Sequence, residues 1–281
     1  MTSSPHNSPK SSFVPFTKSW YDYQKSALGE SACRQLGFFV LPDDFSLSIV
    51  IPFLNEEQTL REIVSRVIKV PIRKEIILID DGSTDRSPKI ASELMDESSL
   101  DANNTIQIIA HKTNLGKGAS LRDGFQLASG DVIIVQDADL EYDPDDFPRL
   151  IQPIIESNAD VVYGSRFLKK EAGQAGYFWN YVGNRVITTM SNVFTNLNLT
   201  DVETCYKVFR KDVLDTIGPK LVSDDFAIEP EITARISQAK FRVYEVPISY
   251  RPRTYVEGKK IRFRDGFAAL WAIVRFSIWK S

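Results

Sequence analysis

Cysteine and histidine are almost missing from this sequence. The two cysteines, Cys33 and Cys205, stand far apart without metal-ligand spacing. That excludes a disulfide framework and points to a reducing, cytoplasmic compartment. Two histidines, His6 and His111, are too few for a histidine-rich zinc or iron centre. No apolar run approaches the roughly 20 residues that cross a bilayer. The longest, Gly266 to Val274, is closed off by Asp265 and Arg275. Met1 to Lys10 is polar and lacks the apolar segment of a secretory signal. Nor does one sign of charge dominate: 34 Lys and Arg stand against 37 Asp and Glu, a net charge of -3. Nucleic acid is therefore not an expected partner.

What is present is a chain of 281 residues, 43% hydrophobic, long enough for one large core with short appendages. Residues 1–45 read as an N-terminal extension, with Ser, Pro and Lys up to about residue 20 predicting disorder. Residues 46–260 carry alternating strand and helix signals. Apolar runs at Ser48–Pro52, Glu75–Ile79, Ile106–Ala110, Val132–Val135 and Ala159–Tyr163 predict strands, and Thr204–Arg210 and Phe241–Ile248 add two more. Between them, Leu60, Ile63, Val64, Val67 and Ile68 follow helical spacing. Ser83–Met95, Lys117–Ala128 and the stretch after Pro144 also read as helices. Tyr181–Leu197 does too, with Val182, Val186, Met190, Val193 and Leu197 on one face. This alternation predicts an α/β fold, Rossmann-like, with a mostly parallel sheet and helices on both faces. Residues 261–281 read as a basic amphipathic C-terminal helix. From Arg251 onward there are eight Lys and Arg against two acids, about +6 by difference.

In open α/β sheets, ligands bind outside the carboxyl ends of the strands. Two acidic clusters fall at such ends, Asp80-Asp81 and Asp137-Ala138-Asp139. Carboxylates at i and i+2 in extended chain point the same way and offer hard oxygen ligands for Mg²⁺ or Mn²⁺ on a diphosphate. An acidic turn capping the next helix is the plainer alternative, and Asp143 and Asp145 suit it better. Asp-Gly-Ser after Asp80 makes a turn and a cap. Two adjacent acids nevertheless repel unless a cation or hydrogen-bond donors face them. Asn114-Leu115-Gly116-Lys117-Gly118 is neither a P-loop nor a dinucleotide fingerprint, but its lysine at a helix start can approach phosphate.

Taken in order, Ile51-Pro52-Phe53-Leu54-Asn55-Glu56-Glu57, Asp80-Asp81-Gly82-Ser83-Thr84-Asp85, Asn114 to Gly118 and Asp137-Ala138-Asp139 resemble family 2 glycosyltransferases of the GT-A fold. More narrowly, Asp137 to Pro144, Tyr163-Gly164-Ser165-Arg166-Phe167 and Asp201 to Phe209 resemble polyprenyl or dolichyl phosphate hexose synthases. The resemblance covers residues 47 to 270. It implies that Pro52, Asn55, Glu57, Asp80 and Asp81 line a nucleoside pocket, with Asp81 on the base. It places Asp137, Ala138, Asp139, Glu141 and Lys117 at the diphosphate, with Asp137 and Asp139 as metal ligands. Arg166, Arg185 and Thr189 match acceptor-phosphate residues, while Arg253, Lys259 and Lys260 match a basic loop over the donor. Glutamate stands at 141 where many mannosyl relatives have glutamine, so donors of the UDP-glucose and GDP-mannose types both stay open.

The function that this implies is inverting transfer of a hexose from a nucleotide-sugar donor to a polyprenyl phosphate, on the cytoplasmic membrane face, by a peripheral protein that can form homo-oligomers. The rival enzyme reading keeps the donor site but uses a saccharide hydroxyl, with Asp224, Asp225 or Glu229 as base. A sugar nucleotidyltransferase would need a glycine- and arginine-rich opening loop, and Pro52-Phe53-Leu54-Asn55 stands in its place. A non-catalytic membrane-associated binding protein is the remaining alternative.

Overall fold

The computed structural model of the chain describes residues 14–98, 104–168, 178–252 and 263–278. The chain divides into two compact units, Met1–Asp44 and Phe45–Ser281. The first unit holds helices α1 (Lys18–Leu28) and α2 (Glu30–Gln35). The Thr17 hydroxyl caps α1 by accepting from the Trp20 N–H. Phe16 stacks on Trp20 and Phe39, and Trp20 on Phe38, with centroids 5.2, 5.1 and 4.9 Å apart. Phe38 and Phe39 thus pack within their own unit, and helix begins at Lys18, earlier than composition indicated. The disorder expected of residues 1–13 lies outside the described residues.

The second unit is built on a seven-stranded sheet ordered β3-β2-β1-β4-β6-β5-β7. Its strands are β1 (Leu47–Phe53), β2 (Lys74–Asp80), β3 (Asn104–Ala110), β4 (Val132–Val135), β5 (Val161–Ser165), β6 (Lys207–Arg210) and β7 (Val243–Pro247). Leu47, Ile49, Val50 and Ile51 of β1 and Ile76 to Ile79 of β2 are fully buried, as β-branched and aliphatic residues on a two-sided sheet should be. Each contributes on the order of 1.5–3 kcal/mol by leaving water. Around the sheet lie α3 (Leu60–Lys69), α4 (Ser87–Ser98), α5 (Lys117–Leu127), α6 (Phe147–Ile155), α7 (Phe178–Thr195), α8 (Lys211–Ile217), α9 (Ile228–Ala239) and α10 (Phe263–Ile278).

Two features of this sheet position the site. The order 3-2-1-4 reverses between β1 and β4, the switch point at which doubly wound folds open a crevice. Moreover, β6 runs antiparallel to both β4 and β5, pairing Ile134 with Val208 and Tyr163 with Lys207. The edge at which β1, β2, β4, β5 and β7 end is therefore the edge at which β6 begins. The segment Asp201–Tyr206 just before β6 is delivered to the same crevice.

Two helices differ from the sequence reading. α4 starts at Ser87, four residues later than Ser83, because the Asp85 carboxylate accepts from the Ser87 N–H while Ser83 is used elsewhere. On α7 the buried residues are Thr188, Ser191 and Thr195, whereas Val186 and Val193 face outward, Val193 71% exposed. The inner face is small and polar because α9 and α10 pack closely there; Ser237 donates its hydroxyl to the Thr195 carbonyl at 2.6 Å. α10 belongs to the same unit, with Ala269, Ala272, Ile273 and Phe276 buried and Trp271 and Ile278 exposed. Residues 261, 262 and 279–281 of the expected C-terminal helix lie outside the described residues.

Candidate active site

On the β1–β2 side of the crevice, side chains from one strand end hold the loop after the next. Asn55, in the left-handed region at φ 52°, donates its N–H to the Ser83 hydroxyl at 2.9 Å and accepts from the Thr84 N–H at 2.8 Å. Glu57 accepts from the Arg86 N–H at 3.2 Å, and its own N–H donates to Asp85 at 3.1 Å. The adjacent acids divide their work. Asp80 accepts from the Ser83 N–H at 2.8 Å and so shapes the turn. The Asp81 carboxylate takes the N–H groups of Leu115 and Gly116 at 2.8 and 2.9 Å. Pro52 lies within β1, pairing with Ile79.

His111, just past β3, faces the second of the two neighbouring acids. Its Nδ1 lies 2.9 Å from Asp81 Oδ1 and its Nε2 2.9 Å from Asp123 Oδ2, with the ring 6% exposed. Burial opposes its charge, but the hydrogen bonds to the two carboxylates prevail and raise its pKa above the ordinary 6.5. A raised histidine pKa stabilises the fold fully below about pH 6.5, and this contribution is lost as pH rises through the raised value. His111→Gln should accordingly be destabilised most at about pH 6, with the gap to wild type closing toward about pH 9 in urea unfolding. A gap that does not depend on pH would show that His111 is neutral in the fold.

The glycine-flanked lysine acts through its side chain. The N–H groups of Gly118 and Ala119 are already taken by the Asp224 carbonyl at 2.7 and 3.2 Å, so the start of α5 does not present them to a phosphate. Lys117 Nζ instead reaches Asp137 Oδ1 at 2.9 Å and Glu229 Oε1 at 3.2 Å. Burial would lower the Lys117 pKa, but Asp137 and Glu229 hold it well above the usual lysine value. Burial likewise pushes against ionised Asp137, and Lys117 overrides it, leaving the carboxylate below its usual range. Glu229 also meets Lys207, a lysine with a side chain only 1% exposed, which donates to the carbonyls of Val202 and Thr204 as well.

Ala138 is buried between the two carboxylates, and Leu140 follows at φ 62°. That left-handed residue turns the chain so that Asp139 accepts from the Glu141 N–H at 3.1 Å. Among the described residues no three or more His, Cys, Asp or Glu gather into a cation cage. A cation held by Asp137 and Asp139 would take its other ligands from diphosphate and water, a donor set that suits Mg²⁺ or Mn²⁺. Glu141 Oε2 accepts from the Tyr250 hydroxyl at 2.8 Å, and the Arg166 guanidinium lies over the Tyr250 ring at 5.2 Å. Arg166 in turn forks onto buried Asp201, through Nε and Nη2 at 2.7 Å each, with Asn184 on the same carboxylate. A chain of contacts therefore runs from Asp139 to Arg166.

Arg185 and Thr189 lie on exposed turns of α7. With Thr188, Asn192, Asn198 and Thr200 they line an open pocket of about 480 Å³. Thr189 spends its hydroxyl proton on the Arg185 carbonyl at 2.7 Å, so toward a ligand it offers only its lone pairs. Arg253, Lys259 and Lys260 lie outside the described residues. Sequence reasoning missed His111, Lys207 and Tyr250 as parts of the site, and reached Glu229 only as a rival base. His111 could have been found from its position one residue beyond a strand end, opposite the paired acids. Lys207 reads as part of an apolar strand and gives no such signal.

This crevice on this sheet defines a GT-A fold. The chain belongs to Glycosyl transferase family 2, which it matches over residues 48–218. It is 31% identical to the low-salt glycan biosynthesis hexosyltransferase of Haloferax volcanii, over 83% of this chain and 53% of that protein. It is 30% identical to the undecaprenyl-phosphate 4-deoxy-4-formamido-L-arabinose transferase of Proteus mirabilis, over 61% and 51%. With the dodecaprenyl-phosphate galacturonate synthase of Rhizobium johnstonii it shares 27% identity, over 74% and 60%. The chain spans about half to three fifths of the length of these relatives. Among solved structures, glucosyl-3-phosphoglycerate synthase from Mycobacterium tuberculosis superposes with a TM-score of 0.61 at 15% identity, covering 83% of this chain and 80% of that one. Its complex with Mn²⁺, UDP-glucose and phosphoglyceric acid gives 0.60 at 16% identity with the same coverage. At such identity the likeness is one of fold.

Proposed function

We propose that this protein is an inverting glycosyltransferase that moves a hexose from a nucleoside-diphosphate sugar to a polyprenyl phosphate at the cytoplasmic membrane face. The observation that carries this reading is the contact chain Asp139–Glu141–Tyr250–Arg166–Asp201 along one sheet edge. It brings two carboxylates and a guanidinium into a single crevice, which supports a metal-assisted transfer to an anionic acceptor. Two of the relatives above are named for undecaprenyl and dodecaprenyl phosphate, which favours phosphate over hydroxyl as acceptor.

A phosphate monoester is anionic at neutral pH, so its oxygen attacks the anomeric carbon without a general base. The bases that a hydroxyl acceptor would need are otherwise engaged. Asp224 pairs with Arg122 at 2.6 Å, Asp225 accepts from the Ala227 N–H at 2.8 Å, and Glu229 is shared by two lysines. Arg166 and Arg185 orient the acceptor, and Lys117 faces the leaving diphosphate. Mg²⁺ or Mn²⁺ held by Asp137 and Asp139 would neutralise charge on that diphosphate. One displacement inverts the anomeric centre.

The direct test supplies a panel of UDP- and GDP-sugars with a short polyprenyl phosphate and either metal, and reads product mass. A glycosyl phosphate lipid is expected. Transfer to saccharide only, or no transfer with any donor, would overturn the reading. Arg185→Ala is the cleaner acceptor variant, because Arg166→Ala would also strand buried Asp201. Loss of one charge-assisted contact, about 1.5–3 kcal/mol, should raise the acceptor KM by about 10- to 150-fold while titrations with UDP or GDP stay unchanged. A fall in nucleotide affinity instead would place Arg185 on the donor.

Membrane contact is part of the proposal. No described helix is long and apolar enough to cross a bilayer. α7 and α10 pack together, and both turn large apolar side chains outward, including Phe178, Trp179, Val193, Trp271 and Ile278. Exposed apolar side chains on two packed helices, with Val193 at the Arg185 pocket, suit docking at a lipid interface. Flotation with anionic liposomes should carry the intact chain, and Trp179→Ser with Trp271→Ser should abolish it. Equal flotation of both would place the contact elsewhere.

A further inference from the structure

The segment Asp201–Tyr206 bridges the two halves of the crevice. At its start Asp201 clamps Arg166; at its end the Cys205 thiol donates to the Val135 carbonyl at 3.7 Å and the Tyr206 hydroxyl donates to Gln136 at 2.7 Å. Glu203 stands midway, and nothing in the mechanism above uses it. Its Oε1 is enclosed by protein without a hydrogen-bond partner.

The charges facing it are already matched. Arg166 is neutralised by Asp201, while Lys117 and Lys207 are neutralised by Asp137 and Glu229, three cations against three carboxylates. Glu203 is a fourth acid with no cation of its own. Burial, reinforced by neighbouring Glu229 and Asp201 against Lys207 and Arg166, pushes its carboxyl up to about 7. The side chain is only half-buried as a whole, but an enclosed carboxyl oxygen without a partner costs stability rather than adding it. Such a group is retained where a ligand supplies the missing partner.

We propose that Glu203 is a substrate-contacting residue of the acceptor site, its carboxyl group hydrogen-bonding the phosphate that approaches Arg166, an inference that rests on the phosphate-acceptor reading above. The protonated carboxyl donates its O–H to a phosphate oxygen. The ionised carboxylate, facing the same anion with every neighbouring cation already paired, repels it. Glu203 therefore makes acceptor binding fall at alkaline pH, through affinity for the lipid phosphate and not for the nucleotide.

The test is calorimetric titration of the full chain with farnesyl phosphate at about pH 6 and about pH 8.5, with UDP and GDP titrations as controls. Glutamine keeps the shape and a donor N–H without the titration, so Glu203→Gln also corrects for the ligand's own ionisation. Relative to Glu203→Gln, wild-type affinity should drop by up to about 30-fold between the two conditions, as a group with a pKa near 7 requires. Glu203→Ala should bind the ligand about tenfold or more weakly at the lower pH while melting no lower than wild type. Parallel pH responses of wild type and Glu203→Gln would overturn the proposal, as would unchanged binding by Glu203→Ala or an effect confined to the nucleotide. Absence of farnesyl phosphate binding by the wild type at either pH would overturn the phosphate-acceptor reading itself, and this inference with it.

Discussion

Asp139→Asn should lower turnover by about 100- to 1000-fold, the usual cost of removing one charge aimed at a developing anion. Asparagine keeps the size and an oxygen for the Glu141 N–H, so the local turn after Leu140 survives. The lost charge is the one that would help hold a divalent cation on the diphosphate. Without ligand, the melting temperature should stay close to that of wild type. Asp137→Asn provides the contrast. Asp137 pairs with buried Lys117, so its replacement removes charge from the proposed diphosphate site and leaves two interior ammonium groups, Lys117 and Lys207, to share Glu229 alone. That variant should lose turnover and thermal stability together. Steady-state rates with Mg²⁺ or Mn²⁺, beside melting curves for both variants, separate the two roles. Near-normal turnover by Asp139→Asn would remove Asp139 from the metal site.

Much of the β1, β2 and β4 side of the crevice was legible because it is local. β1, β2 and β4 are short β-branched runs, each ending in polar chain, and the acids at their ends follow from parallel topology alone. The other half depends on what the chain does at a distance. Nothing in Lys207–Arg210 reveals that β6 runs backwards, and only that reversal brings Asp201 and Glu203 to the crevice. The start of α4 illustrates the same limit on a smaller scale. Ser83, Thr84 and Asp85 are all competent caps, and Asn55 and Glu57 from the β1 side decide among them. α7 misled because hydrophobicity marks its outward face. Thr188, Ser191 and Thr195 are buried since small side chains allow α9 and α10 to approach, whereas Val186 and Val193 stay in solvent. If the membrane proposal holds, the apolar periodicity was reporting an interface and not a core.

Lys207→Met should cost about 3–5 kcal/mol of folding stability, the penalty for removing one partner of a buried ion pair. Methionine matches the reach of the lysine stem but supplies no proton. The carbonyls of Val202 and Thr204 lose their donor, and Glu229 keeps only Lys117, which Asp137 also requires. One cation then faces two carboxylates in the interior. Adding Glu229→Gln to Lys207→Met removes the stranded charge and returns the count to one cation and one carboxylate. The double variant should therefore be more stable than Lys207→Met alone, and a double-mutant cycle by urea unfolding reads the coupling directly. Additive losses across the cycle, or a cost below about 1 kcal/mol for Lys207→Met, would mean that the pair contributes little. The stakes reach the chemistry, because Lys117 is positioned between Glu229 and Asp137. A stable Lys207→Met protein should still show impaired diphosphate binding, since a lysine drawn toward Glu229 is a lysine withdrawn from the leaving group.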